Sequence, residues 1–194
     1  MKKERSLKIA FTGLMAALSY VVFTFIQIKI PLPGQDMLSL HFGNTICVLA
    51  ALLLGGFYGG LSGAIGMTIG DLMDPVYIVH APKTFILKFC IGLITGFIAH
   101  KLGKISVEQD ARKVLFFTAA ASFTALLFNA ICTPIANYYY NILFLGKAAA
   151  QLSLVWNFTI TFLGAFANFI ASVTLYLALR PTLKKNNIFP IIAA

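Results

Sequence analysis

Read from the N-terminus, the chain alternates long apolar runs with short polar or Gly/Pro-rich breaks. The runs are too long and too continuous for half-buried strands, which would alternate with a period of two. Six runs stand out, at about 7–28, 42–54, 58–72, 84–100, 114–136 and 152–179. A helix needs roughly 20 apolar residues to cross a hydrocarbon layer of about 30 Å, so these runs read as membrane spans. The second and third are short for a crossing and need tilt or a partly re-entrant path. Lys29, Pro31, Pro33 and Gly34 close the first run and open a loop that lasts to about His41. Gly55-Gly56-Phe57-Tyr58-Gly59-Gly60 suits a tight turn between antiparallel helices, and Pro75 and Pro82 break the segment from Asp71 to Lys83. The N-terminal Met-Lys-Lys-Glu-Arg-Ser-Leu-Lys imitates a signal peptide, but the run behind it has no small-residue cleavage site and reads as a retained span. The expectation is an all-α integral membrane protein, a single transmembrane domain of six helices over residues 1–194.

Composition agrees, since 59% of residues are hydrophobic, 11% are charged and the mean hydropathy is +0.88, which excludes a water-exposed globular fold. Fifteen Lys and Arg stand against six acidic residues. Lys2, Lys3, Arg5, Lys8, Lys101, Lys104, Arg112, Lys113, Arg180, Lys184 and Lys185 fall at the two tails and the 101–113 stretch, leaving Lys29, Lys83, Lys88 and Lys147 for the other side. Cytoplasmic N- and C-termini therefore satisfy the positive-inside rule with six spans, whereas five would strand one basic cluster outside. Because the charges are scattered between apolar runs, and not gathered on one face with aromatics, a nucleic-acid partner is excluded. Cys47, Cys90 and Cys132 sit inside apolar runs without a paired Cys or a nearby His, and read as small buried hydrophobes. No soluble domain and no phosphate-binding G-x-x-x-x-G-K-[ST] loop is present, so energy for any active transport must enter from an ion gradient or a partner.

Gly59, Gly63, Gly66 and Gly70 share one face of the third span, and Gly92 with Gly96 forms a smaller G-x-x-x-G in the fourth; both predict close helix packing. Gly13 and Ala17, with Thr12 and Ala16 beside them, make another small-residue face near the cytoplasmic third of the first helix, suited to internal packing or to docking a partner. Asp71 carries a carboxylate into an apolar helix at a cost of about 2.5–3.5 kcal/mol, so it must face a partner or a wet cavity. Lys88 or Lys83 is its natural counterion, in a structural ion pair or within a site, while Asp74 beyond it is expected to be solvated.

Polar and aromatic residues collect on the outer side: Asp36, His41, Asn44, Tyr77, His80, Asn129, Asn137, Tyr138, Tyr139, Tyr140, Trp156 and Asn157. Tyr and Trp also fit an interfacial belt, but amides such as Asn129 and Asn157 are costly when unpaired in lipid. A cavity of aromatic faces, amides and a cation suits a small flat polar molecule. The candidate binding residues are Asp71, His80, Lys83, Lys88, Asn129, Tyr138, Trp156 and Asn157, with aromatics stacking a ring, amides and Asp71 reading its polar edges, and Lys88 or Lys83 meeting an anionic or electron-rich group. No catalytic residue, metal ligand or cofactor is assigned.

The stretch from Phe42 to Phe89 resembles the substrate-binding S components of energy-coupling factor (ECF) transporters. The likeness lies in the F-G-N opening, the L-L-x-G-x-x-x-G-x-x-x-G turn region, Gly70-Asp71-Leu72 and the A-P-x-T-x-x-x-K-F from Ala81 to Phe89. The resemblance implies six helices in a prokaryotic cell membrane. A vitamin site would lie near the extracellular side under the loop from Lys29 to His41, and the partners would be a transmembrane T subunit and two cytoplasmic ATPases that use ATP. It also implies that the first helix docks on the T subunit through its small face, here Gly13 and Ala17 where the family pattern has two alanines, and that the protein topples in the membrane. Pyrimidine or pyridine precursors, pantothenate, riboflavin and folate fall within that ligand class, and the few polar groups favour a compact ring. The alternatives are a self-sufficient ion-coupled carrier and a membrane enzyme using Asp71 and Asp74 to hold Mg²⁺.

Overall fold

The computed structural model describes residues 2–32, 36–143 and 150–185. Lys147, counted above with the outer charges, and Pro33 and Gly34 of the first loop lie outside them. The elements run α1 (Lys2–Phe25), β1 (Gln27–Leu32), β2 (Asp36–His41), α2 (Gly43–Leu54), α3 (Gly56–Met73), α4 (Ala81–Gly96), α5 (Ala111–Leu143) and α6 (Ala150–Lys185). A short 3-10 turn, Ile78–His80, leads into α4, and a π-helical turn, Phe97–Leu102, extends it.

Helix α2 is the axis. Beyond Asn44 and Thr45 its sequence is apolar on every face, so that part has no surface suited to water, and all twelve of its residues are buried. The other five helices pack around it. At 1.5 Å per residue it is about 18 Å long, too short to cross a bilayer alone. Four segments are long and apolar enough to do so: Arg5–Phe25, Ile78–Leu102, Ala111–Leu143 and Leu154–Lys185.

Glycine decides how closely these helices approach. The turn from α2 to α3 is the single residue Gly55, whose φ of +84° lies in the left-handed region that other residues rarely adopt. On α3 the glycine stripe divides between two neighbours. A Cβ at Gly59 or Gly63 would collide with Ala51 or Cys47 of α2, and one at Gly66 or Gly70 with Ala16 or Phe23 of α1. Gly92 and Gly96 of α4 lie directly on Gly60 and Gly56 of α3, backbone to backbone. The fourth-span motif is thus half of a reciprocal glycine contact.

The segment expected to be a loop from Lys29 to His41 is instead an antiparallel hairpin, with Gln27 opposite His41, Lys29 opposite Ser39 and Pro31 opposite Met37. Ile28 and Ile30 alternate with polar positions as a strand requires, and Pro31 is tolerated because a two-stranded hairpin is all edge. One other proline departs from the expected breaks. Pro82 sits in the first turn of α4, where its missing N–H costs nothing, and Pro134 and Pro181 are carried inside α5 and α6.

At the end away from the hairpin, basic side chains close the bundle over backbone carbonyls. Arg180 Nη2 donates to the carbonyls of Ile105 at 3.0 Å and Glu108 at 2.6 Å, and Lys184 Nζ donates to Glu108 at 3.2 Å. The amides of Asp110 and Gln109 donate to the Glu108 carboxylate and hold its pKa below the ordinary value. His100 Nε2 lies 3.0 Å from the Ala51 carbonyl, supplying a partner at the C-terminal turn of α2.

Candidate functional site

The hairpin roofs a polar cavity of two lobes that share Ser39, His41, Lys88 and Thr133 in their walls. The outer lobe, about 90 Å³, takes Asp71 from α3, His80, Lys83, Thr84 and Lys88 from the 3-10 turn and α4, Asn137 and Asn141 from α5, and Asn157 from α6. The inner lobe, about 60 Å³, lies against the start of α2 and takes Asn44, Lys88, Asn129, Thr133 and Asn168. Helical spacing explains the α5 contribution, since Asn129, Thr133, Asn137 and Asn141 recur every fourth residue and so fall on one face.

Two chains of hydrogen bonds organise these groups. Lys88, 6% exposed, donates to Asn129 Oδ1 at 3.0 Å, and the Thr133 hydroxyl donates to the same oxygen at 3.0 Å. Lys83 donates to Asn137 Oδ1, and Asn137 Nδ2 donates to Asn157 Oδ1 at 3.0 Å. Lys83 Nζ also lies 3.3 Å from His80 Nδ1 and 5.5 Å from the centre of the Tyr140 ring, whose hydroxyl donates to the Val79 carbonyl. His41 Nδ1 accepts from the Gly43 amide at 3.2 Å, which leaves Nε2 as the protonated nitrogen. Asn168 is saturated: Oδ1 accepts from the Thr45 amide and hydroxyl, and Nδ2 donates to the carbonyls of His41 and Gly164.

Six of the eight candidate residues, Asp71, His80, Lys83, Lys88, Asn129 and Asn157, line this cavity. Tyr138 and Trp156 do not. Trp156 is 53% exposed, because α6 turns its neighbour Asn157 inward and about 100° of rotation carries Trp156 to the outer surface. Tyr138 packs edge-on against Tyr139, and Tyr140 is the tyrosine whose ring meets Lys83 and His80. Gly13 and Ala17 lie on the exposed face of α1, and a Cβ on Gly13 would meet nothing within 4 Å.

The two aspartates go separate ways. Asp71 is buried and accepts from Thr84, and Lys88 turns to Asn129 in place of the expected ion pair with it. Asp74, expected to be solvated, pairs with Lys29 of β1 and fastens the hairpin to the end of α3. Some desolvation works against it, but hydrogen bonds from Lys29 and the Val76 amide outweigh that and lower its pKa. Among the described residues no group of His, Cys, Asp and Glu is gathered to hold a metal ion.

A half-open chamber lined by polar side chains, set in a bundle with four helices long and apolar enough to cross a membrane, fits a membrane protein with a binding cavity. The chain belongs to the family described as ECF-type riboflavin transporter, S component, which it matches over residues 3–181. Proteins of this family are the substrate-binding components of transporters and not enzymes. An uncharacterized protein of Pyrococcus woesei, described as lying in a gap 3' region, is 32% identical over 76 residues, covering 39% of this chain and 49% of that protein. The chain thus spans about half the length of the curated relative it matches. No solved structure matches it.

Proposed function

We propose that this chain captures a compact water-soluble vitamin or vitamin precursor from the extracellular side of a prokaryotic cell membrane. It hands the solute to an ATP-driven complex with a transmembrane T subunit and two ATPases. The observation that carries this reading is the polar cavity beneath the hairpin, at the end of the bundle remote from the Arg180 and Lys184 cluster. By the positive-inside rule that basic end is cytoplasmic, which places both termini inside and the cavity outside, with α2 and α3 completing six passes through the protein body. Lobes of about 90 and 60 Å³ fall below the roughly 300–1,000 Å³ of pockets for drug-sized ligands. That favours a single-ring solute over a larger one such as the riboflavin in the family's description. Gly13 and Ala17, exposed and free of bulk on α1, are suited to close approach by a helix of the T subunit.

The test is transport in vesicles. The chain reconstituted with T and ATPase subunits is expected to accumulate its solute only with ATP, and mass spectrometry of what co-purifies identifies that solute. Accumulation by the chain alone, without nucleotide, overturns the reading.

A further inference from the structure

We infer that the captured solute is an anion, whose carboxylate-sized group enters the inner lobe and becomes the counterion of Lys88. This rests on the cavity being the solute site. Lys88 is buried, its hydrogen-bond partner is a neutral amide, and Asp71, the carboxylate that shares the outer lobe with it, attracts it only from beyond salt-bridge distance while bonded to Thr84. A buried charge without an opposite charge is costly, and the cost disappears when a ligand brings one.

The rest of the inner lobe points the same way, with no Asp or Glu in its lining. Asn129 spends its oxygen on Lys88 and Thr133, so its NH₂ is the group with donors to offer. His41 keeps its Nε2–H because Nδ1 is taken by the Gly43 amide. The N-terminus of α2 opens here, without an acidic residue in its first turn, and adds partial positive charge. Asn44, 6% exposed, has a buried Oδ1 without a hydrogen-bond partner, an acceptor that a donor on the solute's ring would satisfy beside the anionic group. A volume of about 60 Å³ holds one small anionic group, and the ring occupies the outer lobe among Lys83, Asn137 and Asn157.

The full chain in detergent is titrated with matched acid and neutral compounds. The pairs are pyridine-3-carboxylate and its carboxamide, pantothenate and pantothenol, and biotin and its amide, with riboflavin as an uncharged ring compound. An acid is expected to bind about tenfold or more tighter than its neutral partner, since hydrogen bonds to charged groups are the strong ones. Lys88→Gln is expected to abolish that preference. Asn129→Asp, which gives Lys88 an internal counterion at nearly unchanged volume, is expected to abolish it while raising the melting temperature. A neutral partner bound as tightly as its acid, or riboflavin bound alike by wild type and Lys88→Gln, overturns the anion and leaves the solute site standing. Where no probe binds, the solute extracted from the purified protein decides: an anion supports the inference and a neutral or cationic molecule overturns it. If no probe binds and no solute is extracted, both readings are overturned.

Discussion

Lys29 of β1 pairs with Asp74 at the end of α3, and the same ammonium lies 5.4 Å from the centre of the Tyr77 ring. Through this contact the β1 side of the roof is fastened to the α3 wall. The pair is partly exposed, at 37% and 17% of the two side chains, so it is worth about 0.2–1 kcal/mol. Asp74→Asn or Lys29→Gln is therefore expected to speed exchange of the hairpin amides and release of solute about two- to fivefold, without unfolding the protein. The sign with pH follows from the lowered pKa of Asp74. Its contribution is present above the unfolded value of about 3.9 and is lost as pH falls through the lower folded one. Hydrogen exchange of the ligand-free protein, corrected for intrinsic rates, is expected to show the gap between wild type and Asp74→Asn begin to narrow below about pH 4 and close once pH has fallen past the lowered pKa of folded Asp74. A gap that persists there removes the pair as the fastening.

Glycine contacts make opposite predictions at two sites. Gly92→Ala puts a methyl into the Gly60 backbone, where neither helix has a flexible side chain to move, and is expected to cost about 1–3 kcal/mol. Gly13→Ala adds a methyl in open space and is expected to gain up to about 1 kcal/mol from helix propensity. Denaturant unfolding of both variants in one detergent checks the pair, and equal effects contradict the packing.

Asn168 ties three elements together through Thr45 of α2, His41 of β2 and Gly164 of its own helix. Asn168→Ala leaves buried partners unsatisfied at about 1–3 kcal/mol each and is expected to destabilise the fold and loosen the hairpin. A thermal melt read beside hydrogen exchange at His41 tests it, and unchanged values in both deny the clamp.

Gly13→Leu or Ala17→Leu enlarges the exposed face of α1 without touching the cavity. Solute binding by the isolated chain is expected to stay within about twofold, well under 1 kcal/mol, while uptake by the assembled transporter falls to background. Normal uptake with either variant excludes this face as the docking surface.

Four of the spans were legible in the sequence from their apolar length, and much of the cavity lining because a charge or amide within an apolar helix is expensive unless something receives it. That reasoning located Asp71, Lys88, Asn129 and Asn157. The same signal was there to be read at Asn168, three turns beyond Asn157 on the same face of α6, and at Thr133 and Asn141, which extend the four-residue recurrence from Asn129, but none of the three was a candidate residue. Aromatic residues misled, since Trp156 satisfies an interfacial belt as well as a pocket and only the rotation of α6 separates the two. The hairpin stayed hidden because its alternation spans six residues per strand and Pro31 and Pro33 read first as breakers. Where Lys88 and Asp74 find their partners depends on contacts between distant segments, and local sequence holds no record of those.

Because α2 is buried from Gly43 to Leu54, it acts as a plug. The floor of the cavity is the start of this helix, which continues about 18 Å beneath it with every residue buried. For the proposed carrier of a solute, what is held beneath the hairpin rests on packed side chains of α2 and not on water.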